Sequence, residues 1–188
     1  KGLEAEGCAA GKGVNMFHAR PTRLGTAIAR TCYTTLLDNA IAAFDQAGSG
    51  EVSAAFDSAV EAMILMAGLG FENGGLSVPH ALTRGLPLLP GGAKAAHGLQ
   101  VAYGLAVHHA LLGQPMPEAL ACIYRHVGLP RSLRALTGHA VTEAQIRRVV
   151  AVTMPVRHML NFPRALTEAD LLSAMLAVEA DADTGATA

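Results

Sequence analysis

Residues 67–81 read Ala67-Gly68-Leu69-Gly70-Phe71-Glu72-Asn73-Gly74-Gly75-Leu76-Ser77-Val78-Pro79-His80-Ala81. No alternation of apolar and polar residues runs through them, so they are not a strand. They predict one helix ending at the glycine pair Gly68 and Gly70, a glycine-rich passage over 70–75, and a short helix over 77–84. On the N-terminal side, residues 51–67 carry Val52, Phe56, Ala59 and Met63 at helical spacing on one face. Earlier still, Pro21 suits the first position of a helix whose buried stripe is Leu37, Ala40, Ile41 and Phe44, and which stops at Gly48-Ser49-Gly50. The opening Lys1-Gly2-Leu3-Glu4-Ala5 reads as a helix already under way, with no capping residue before it, as in a piece of a longer chain.

The C-terminal side continues in the same manner. A loop over 87–92 leads to a helix over 97–112, and Pro117 opens another with Leu120, Ile123, Tyr124 and Val127 on one face, closed by Gly128 and Pro130. Thr142 with Gln145 forms a capping box ahead of Ile146, Val149 and Val150; Thr167 with Asp170 does the same ahead of Leu171, Leu172, Met175 and Leu176. The fold class is all-α. One helical domain is expected over 1–179, followed by a small, polar, frayed tail over 180–188.

Composition bounds the partners. With 188 residues and 51% hydrophobic residues the chain can bury a sizeable core, and a net charge of -1 gives no general field for nucleic acid or anionic lipid. Mean hydropathy is high at +0.32, but Glu61, Glu72, His108 and His109 interrupt the most apolar runs, so no membrane partner is expected. The surplus apolar surface predicts an interface, either with another domain or in a homo-oligomer. Cys8, Cys32 and Cys122 form no CxxC pair and no signal peptide precedes them; they read as small core residues of a cytoplasmic protein.

Among the 8 histidines none sits in a single-helix ligand pattern, and His80 and His97 lie far enough apart to belong to different elements. His108 falls on roughly the same helical face as His97 but some 16 Å along the axis, too far to share an ion, and reads as a packed or interface residue. His18, His126, His139 and His158 have no motif around them.

The text around the two singled-out histidines resembles a known family. Residues 67–81 are similar to the pattern GxGFESGGLxxAHA of the glycerol dehydrogenase branch of the iron-containing alcohol dehydrogenases. Ala96-His97-Gly98-Leu99-Gln100-Val101-Ala102-Tyr103-Gly104 is similar to that branch's second histidine motif, HGEKVAxG. Val127-Gly128-Leu129-Pro130-Arg131-Ser132-Leu133 is similar to its VGLPxTL turn, and the helix after Thr167 falls where the family also ends, so the likeness covers nearly the whole chain.

The resemblance implies the C-terminal helical bundle of a dehydroquinate synthase-like, iron-containing alcohol dehydrogenase fold. It implies a metal, Zn2+ or Fe2+, held by His80 and His97, with a third ligand, an aspartate, just upstream of Lys1. It implies Phe71 in the substrate pocket, an alcohol or polyol as substrate, and NAD bound mainly by an N-terminal nucleotide-binding domain outside these residues. On that basis the metal would activate the substrate hydroxyl for hydride transfer to NAD, and the segment alone would be inactive. Two departures bear on substrate choice. Leu99-Gln100 stands where the family has a charged Glu-Lys pair, and Thr83-Arg84-Gly85 where it has His-Asn-Gly. Arg84 is expected to face solvent; turned inward, it would suit a substrate carrying carboxylate or phosphate. Two alternatives stay open: the helical half of a dehydroquinate synthase-like cyclase, and a non-catalytic helical interaction module.

Overall fold

The computed structural model describes residues 1–185, so 186–188 of the expected tail lie outside the described residues. The described residues form ten α-helices joined by short turns, with no strand. They fall into two units. The first comprises Lys1–Ser77, Glu118–Gly128 and Asn161–Pro163; the second comprises Val78–Pro117, Leu129–Leu160 and the residues from Arg164 onward.

In the first unit, α1 (Gly2–Ala10) and α2 (Arg23–Gln46) lead to α3 (Ala54–Glu61), a π-helical turn over Ala62–Met66, and α4 (Ala67–Gly74). The helix α2 begins two residues after Pro21, because the Thr22 hydroxyl accepts the Gly25 N–H at 2.9 Å and so caps the first turn. Its tightly packed face is Gly25, Ala29, Cys32 and Ala43, whereas the predicted stripe of Leu37, Ala40 and Ile41 is half-buried and Phe44 is exposed.

Gly68 and Gly70 do not end a helix. α3, the π turn and α4 run on as one helix, Ala54–Gly74, and only Gly75, at φ 90°, breaks it. The physical reason is close packing: a Cβ at Gly70 would lie 3.1 Å from Ala29 Cα, and one at Gly74 2.6 Å from Ala5 Cβ. Those two glycines let α4 lie directly on α2 and α1. The π turn sits where the Cys32 thiol donates to the Ala62 carbonyl at 3.2 Å. Ser53 caps α3 through its hydroxyl, which leaves Val52 outside the helix and exposed; Met63 is exposed too, and Ala59 points inward. By length and composition this helix is apolar enough to cross a membrane, although Asp57, Glu61 and Glu72 lie along it.

Two buried polar residues tie the loops of this unit. Asn161 accepts the Val14 N–H at 2.9 Å and donates to the carbonyls of Val14 and Leu76 at 2.9 and 2.7 Å. The Glu4 carboxylate accepts the Ser77 N–H at 2.8 Å. The helix α7 (Glu118–Val127) packs on α2 through Leu120, Ala121, Ile123 and Tyr124.

The second unit is built round α6 (His97–Leu111), which is buried on most of its circumference. α5 (Val78–Leu82) crosses it closely, and α8 (Leu133–Thr137), α9 (Glu143–Thr153) and α10 (Glu168–Gly185) complete the unit. Both capping pairs form as the sequence predicts. Thr142 and Gln145 exchange side-chain-to-backbone bonds at the start of α9, and Thr167 and Asp170 do so at the start of α10. α10 continues past Glu179 to Gly185 rather than stopping at the expected tail boundary. Both oxygens of Glu179 accept the Leu133 N–H, at 3.0 and 3.1 Å, so α10 caps α8 with a carboxylate.

Candidate functional site

The geometry around His80 follows from one close crossing. Gly104 on α6 faces Pro79 on α5 so tightly that a Cβ there would lie 2.7 Å from Pro79 Cα and 2.8 Å from its carbonyl oxygen. His97 precedes Gly104 by two turns and shares that face of α6, while His80 is the next residue after Pro79. The imidazoles of His80 and His97 consequently meet, with ring centroids 5.7 Å apart and planes inclined at 55°. His80 is buried; His97, at the first position of α6, is exposed. The pair thus combines a fixed inner imidazole with an outer one open to solvent.

Both ends of this arrangement are tied down. The Thr83 hydroxyl donates to the His80 carbonyl at 2.7 Å and closes α5. Gln100, buried one turn beyond His97, donates to the Ala95 carbonyl at 2.9 Å and to the Gly92 carbonyl at 3.4 Å. That side chain stitches the start of α6 to the 3-10 turn Gly92–Lys94 before it. Sequence reasoning treated Gln100 as a lost charge. Its amide does local work instead, and the nearby carbonyls of a turn are the signal that could have found it.

The other candidates are distributed elsewhere. Phe71 lies on α4 in the first unit, half-buried, with the Lys1 ammonium 4.6 Å from its ring centroid. Arg84 is exposed, as the solvent-facing reading expects. Leu99 is 36% exposed on α6. His108 and His109 are buried, and both ring nitrogens of His109 lack a hydrogen-bond partner, so burial pushes its imidazole below the ordinary pKa. His126 pairs with Asp45 at 2.6 Å and stacks edge-on against Phe44.

Cys8 and Cys32 are buried thiols whose pKa burial raises, in keeping with an inert core role. Cys122 departs from its expected core position: it lies on the exposed side of α7, whose buried positions are Leu120, Ala121, Ile123 and Tyr124. Among the described residues no group of three or more His, Cys, Asp or Glu side chains converges. The two histidines are therefore at most part of a coordination sphere.

Comparison with known proteins gives this geometry a context. No family model matches the sequence. Glycerol dehydrogenase from Thermotoga maritima is 32% identical over 180 residues, covering 94% of this chain and 50% of its own length. Glycerol dehydrogenase from Escherichia coli is 30% identical over 180 residues, again 94% of this chain and 49% of its own. The crystal structure of a probable glycerol dehydrogenase from Sinorhizobium meliloti 1021 superposes with a TM-score of 0.88 at 30% identity, covering 97% of this chain and 52% of that one.

The fold is accordingly that of the matched part of the glycerol dehydrogenase structures. The chain is similar to the glycerol dehydrogenases over nearly all of its own residues, and it spans about half the length of the relatives it matches.

Proposed function

We propose that this chain supplies the metal-binding helical half of an NAD-linked polyol dehydrogenase, with His80 and His97 as two of the protein donors to one divalent ion, Zn2+ or Fe2+. The observation that carries the reading is the 5.7 Å approach of two imidazoles from different helices. Two imidazoles on one tetrahedral ion, each at about 2.0–2.1 Å, have ring centroids roughly 5–6 Å apart, so the donor set fits such an ion. A single buried and a single exposed imidazole also suit a catalytic rather than a sealed structural site.

Bound there, the ion would supply Lewis-acid polarisation of a substrate hydroxyl. The chain's own residues contribute position. Gly104 against Pro79 sets the crossing, Thr83 fixes the end of α5 that bears His80, and Gln100 fixes the start of α6 that bears His97. Anchoring the backbone beside both histidines limits how far either would have to move when an ion arrives. A further carboxylate donor and the nucleotide-binding surface are expected from a segment outside these residues, which agrees with a chain that spans half of its relatives.

The test is substitution in the longest polypeptide that carries this chain. His80→Ala and His97→Ala are each expected to remove polyol-dependent reduction of NAD and bound metal together. Full metal content with unchanged turnover in both variants would reject the assignment.

A further inference from the structure

Glu4 is a buried acid that the metal centre described above does not use. It sits on α1 at 1% exposure, and burial of a carboxylate is unfavourable unless hydrogen bonds compensate it. One such bond spans 73 residues of sequence: Oε1 accepts the Ser77 N–H at 2.8 Å. The Ser77 side chain is itself buried, and its hydroxyl has no hydrogen-bond partner among the described residues. The Glu4 side chain, rather than that of Ser77, therefore ties the backbone at this point. The amino group of Lys1 lies farther off, 3.9 Å from the other carboxylate oxygen.

The rest of α1 closes on the same short passage. A Cβ on Gly74 would fall 2.6 Å from the Ala5 Cβ, and one on Gly75, whose φ is 90°, would fall 2.7 Å from the Cys8 sulfur. The two glycines thus let one face of α1, formed by Glu4, Ala5 and Cys8, press on the backbone of 74–77. Asn161 holds the Leu76 carbonyl at 2.7 Å. Only Val78 and Pro79 separate this clamped passage from His80, and the ring of Pro79 fixes its own φ.

We infer that Glu4 is a positioning residue for the metal centre: its bond to the Ser77 N–H fixes the point from which α5 departs, and through it the reach of His80. This rests on the assignment of His80 and His97 as metal donors. What the role requires is an acceptor of the right length, because the group it meets is a backbone N–H and not a cation. Glutamine satisfies that requirement. Aspartate, one methylene shorter, keeps the charge and withdraws the acceptor.

Zinc titration of the metal-stripped polypeptide that carries this chain, with amide hydrogen exchange at Ser77 alongside, tests it. Glu4→Gln should bind zinc as the parent does. Glu4→Asp should bind it at least roughly tenfold more weakly, the low end for groups that orient ligands, and should exchange faster at Ser77. Ile123→Ala destabilises the same unit from α7 and should leave zinc affinity alone. Parental affinity in Glu4→Asp, a loss in Glu4→Gln as large as in Glu4→Asp, or an equal loss in Ile123→Ala overturns the inference. So does failure of both Glu4 variants to fold, which would make the carboxylate a folding requirement instead. His80→Ala separates the two levels of the account. If it keeps full zinc affinity, the donor assignment falls and the role of Glu4 with it; if it loses zinc while Glu4→Asp does not, only the role of Glu4 falls.

Discussion

Gly104 meets Pro79 with no room for a side chain, a Cβ on α6 falling 2.7 Å from Pro79 Cα, and this contact sets how near His80 comes to His97. Gly104→Ala must push α5 away from α6. Overpacking against backbone atoms costs about 1–3 kcal/mol, because backbone yields less readily than a side chain. Urea unfolding should register that loss, and metal titration should show weaker binding in the same variant. Wild-type stability with wild-type metal affinity would contradict the account of the crossing.

Gln100 offers a gentler perturbation of the same place. Gln100→Ala removes the donor to the Ala95 carbonyl and frees the turn ahead of α6. A single hydrogen bond of this kind is worth about 1 kcal/mol. The expected signature is a small loss of stability with roughly tenfold weaker metal binding, the low end for residues that orient ligands. Calorimetric titration with Zn2+ checks it.

Asn161→Ala should damage the first unit far more than its size suggests. It leaves the Val14 N–H and the Leu76 carbonyl without their partner inside the protein. Stranding buried polar groups costs about 1–3 kcal/mol each, so the variant should lose at least 2 kcal/mol in denaturant unfolding. Asn161→Asp keeps the acceptor for Val14 N–H but loses both donated bonds, and should not restore stability.

His109 gives a pH dependence with a definite sign. Its folded imidazole is held below the ordinary pKa by burial, so the unfolded chain takes up a proton that the folded chain resists. Stability is therefore unaffected by this group well above pH 6.5 and falls as pH drops below it. His109→Leu should narrow the difference in melting temperature between pH 8 and pH 5; an unchanged difference would show that other groups dominate.

Asp170 acts in the same sense but lower on the scale. The Thr167 hydroxyl and backbone N–H, with Arg164 beside them, hold its carboxyl at about 2. Its contribution is present above the ordinary carboxylate range and disappears as pH falls from roughly 4 through 2. Asp170→Asn should flatten the acid limb of the melting curve between those values, measured against the parent chain.

How much of this was legible in the sequence depended on whether the controlling interaction was local. Thr142 with Gln145 and Thr167 with Asp170 predicted their helix starts because a capping pair is complete within four residues. The motif text around His80 and His97 likewise singled out two residues that the fold does bring together. Gly68 and Gly70 misled as a helix end, since a glycine that ends a helix and one that admits a neighbour look alike until Ala29 is known to lie opposite Gly70. Pro21 marks the start of α2 in the sequence, although the Thr22 hydroxyl is what caps the turn. Gln100 and Cys122 were read from their chemistry alone; burial of the one and exposure of the other are tertiary facts.

The central claim is that one ion is shared by His80 and His97. X-ray absorption at the metal edge counts coordinated imidazoles directly through their outer-ring scattering. The account predicts two imidazoles in the metal-loaded protein and one in each of His80→Ala and His97→Ala; an imidazole count that neither substitution changes would contradict it.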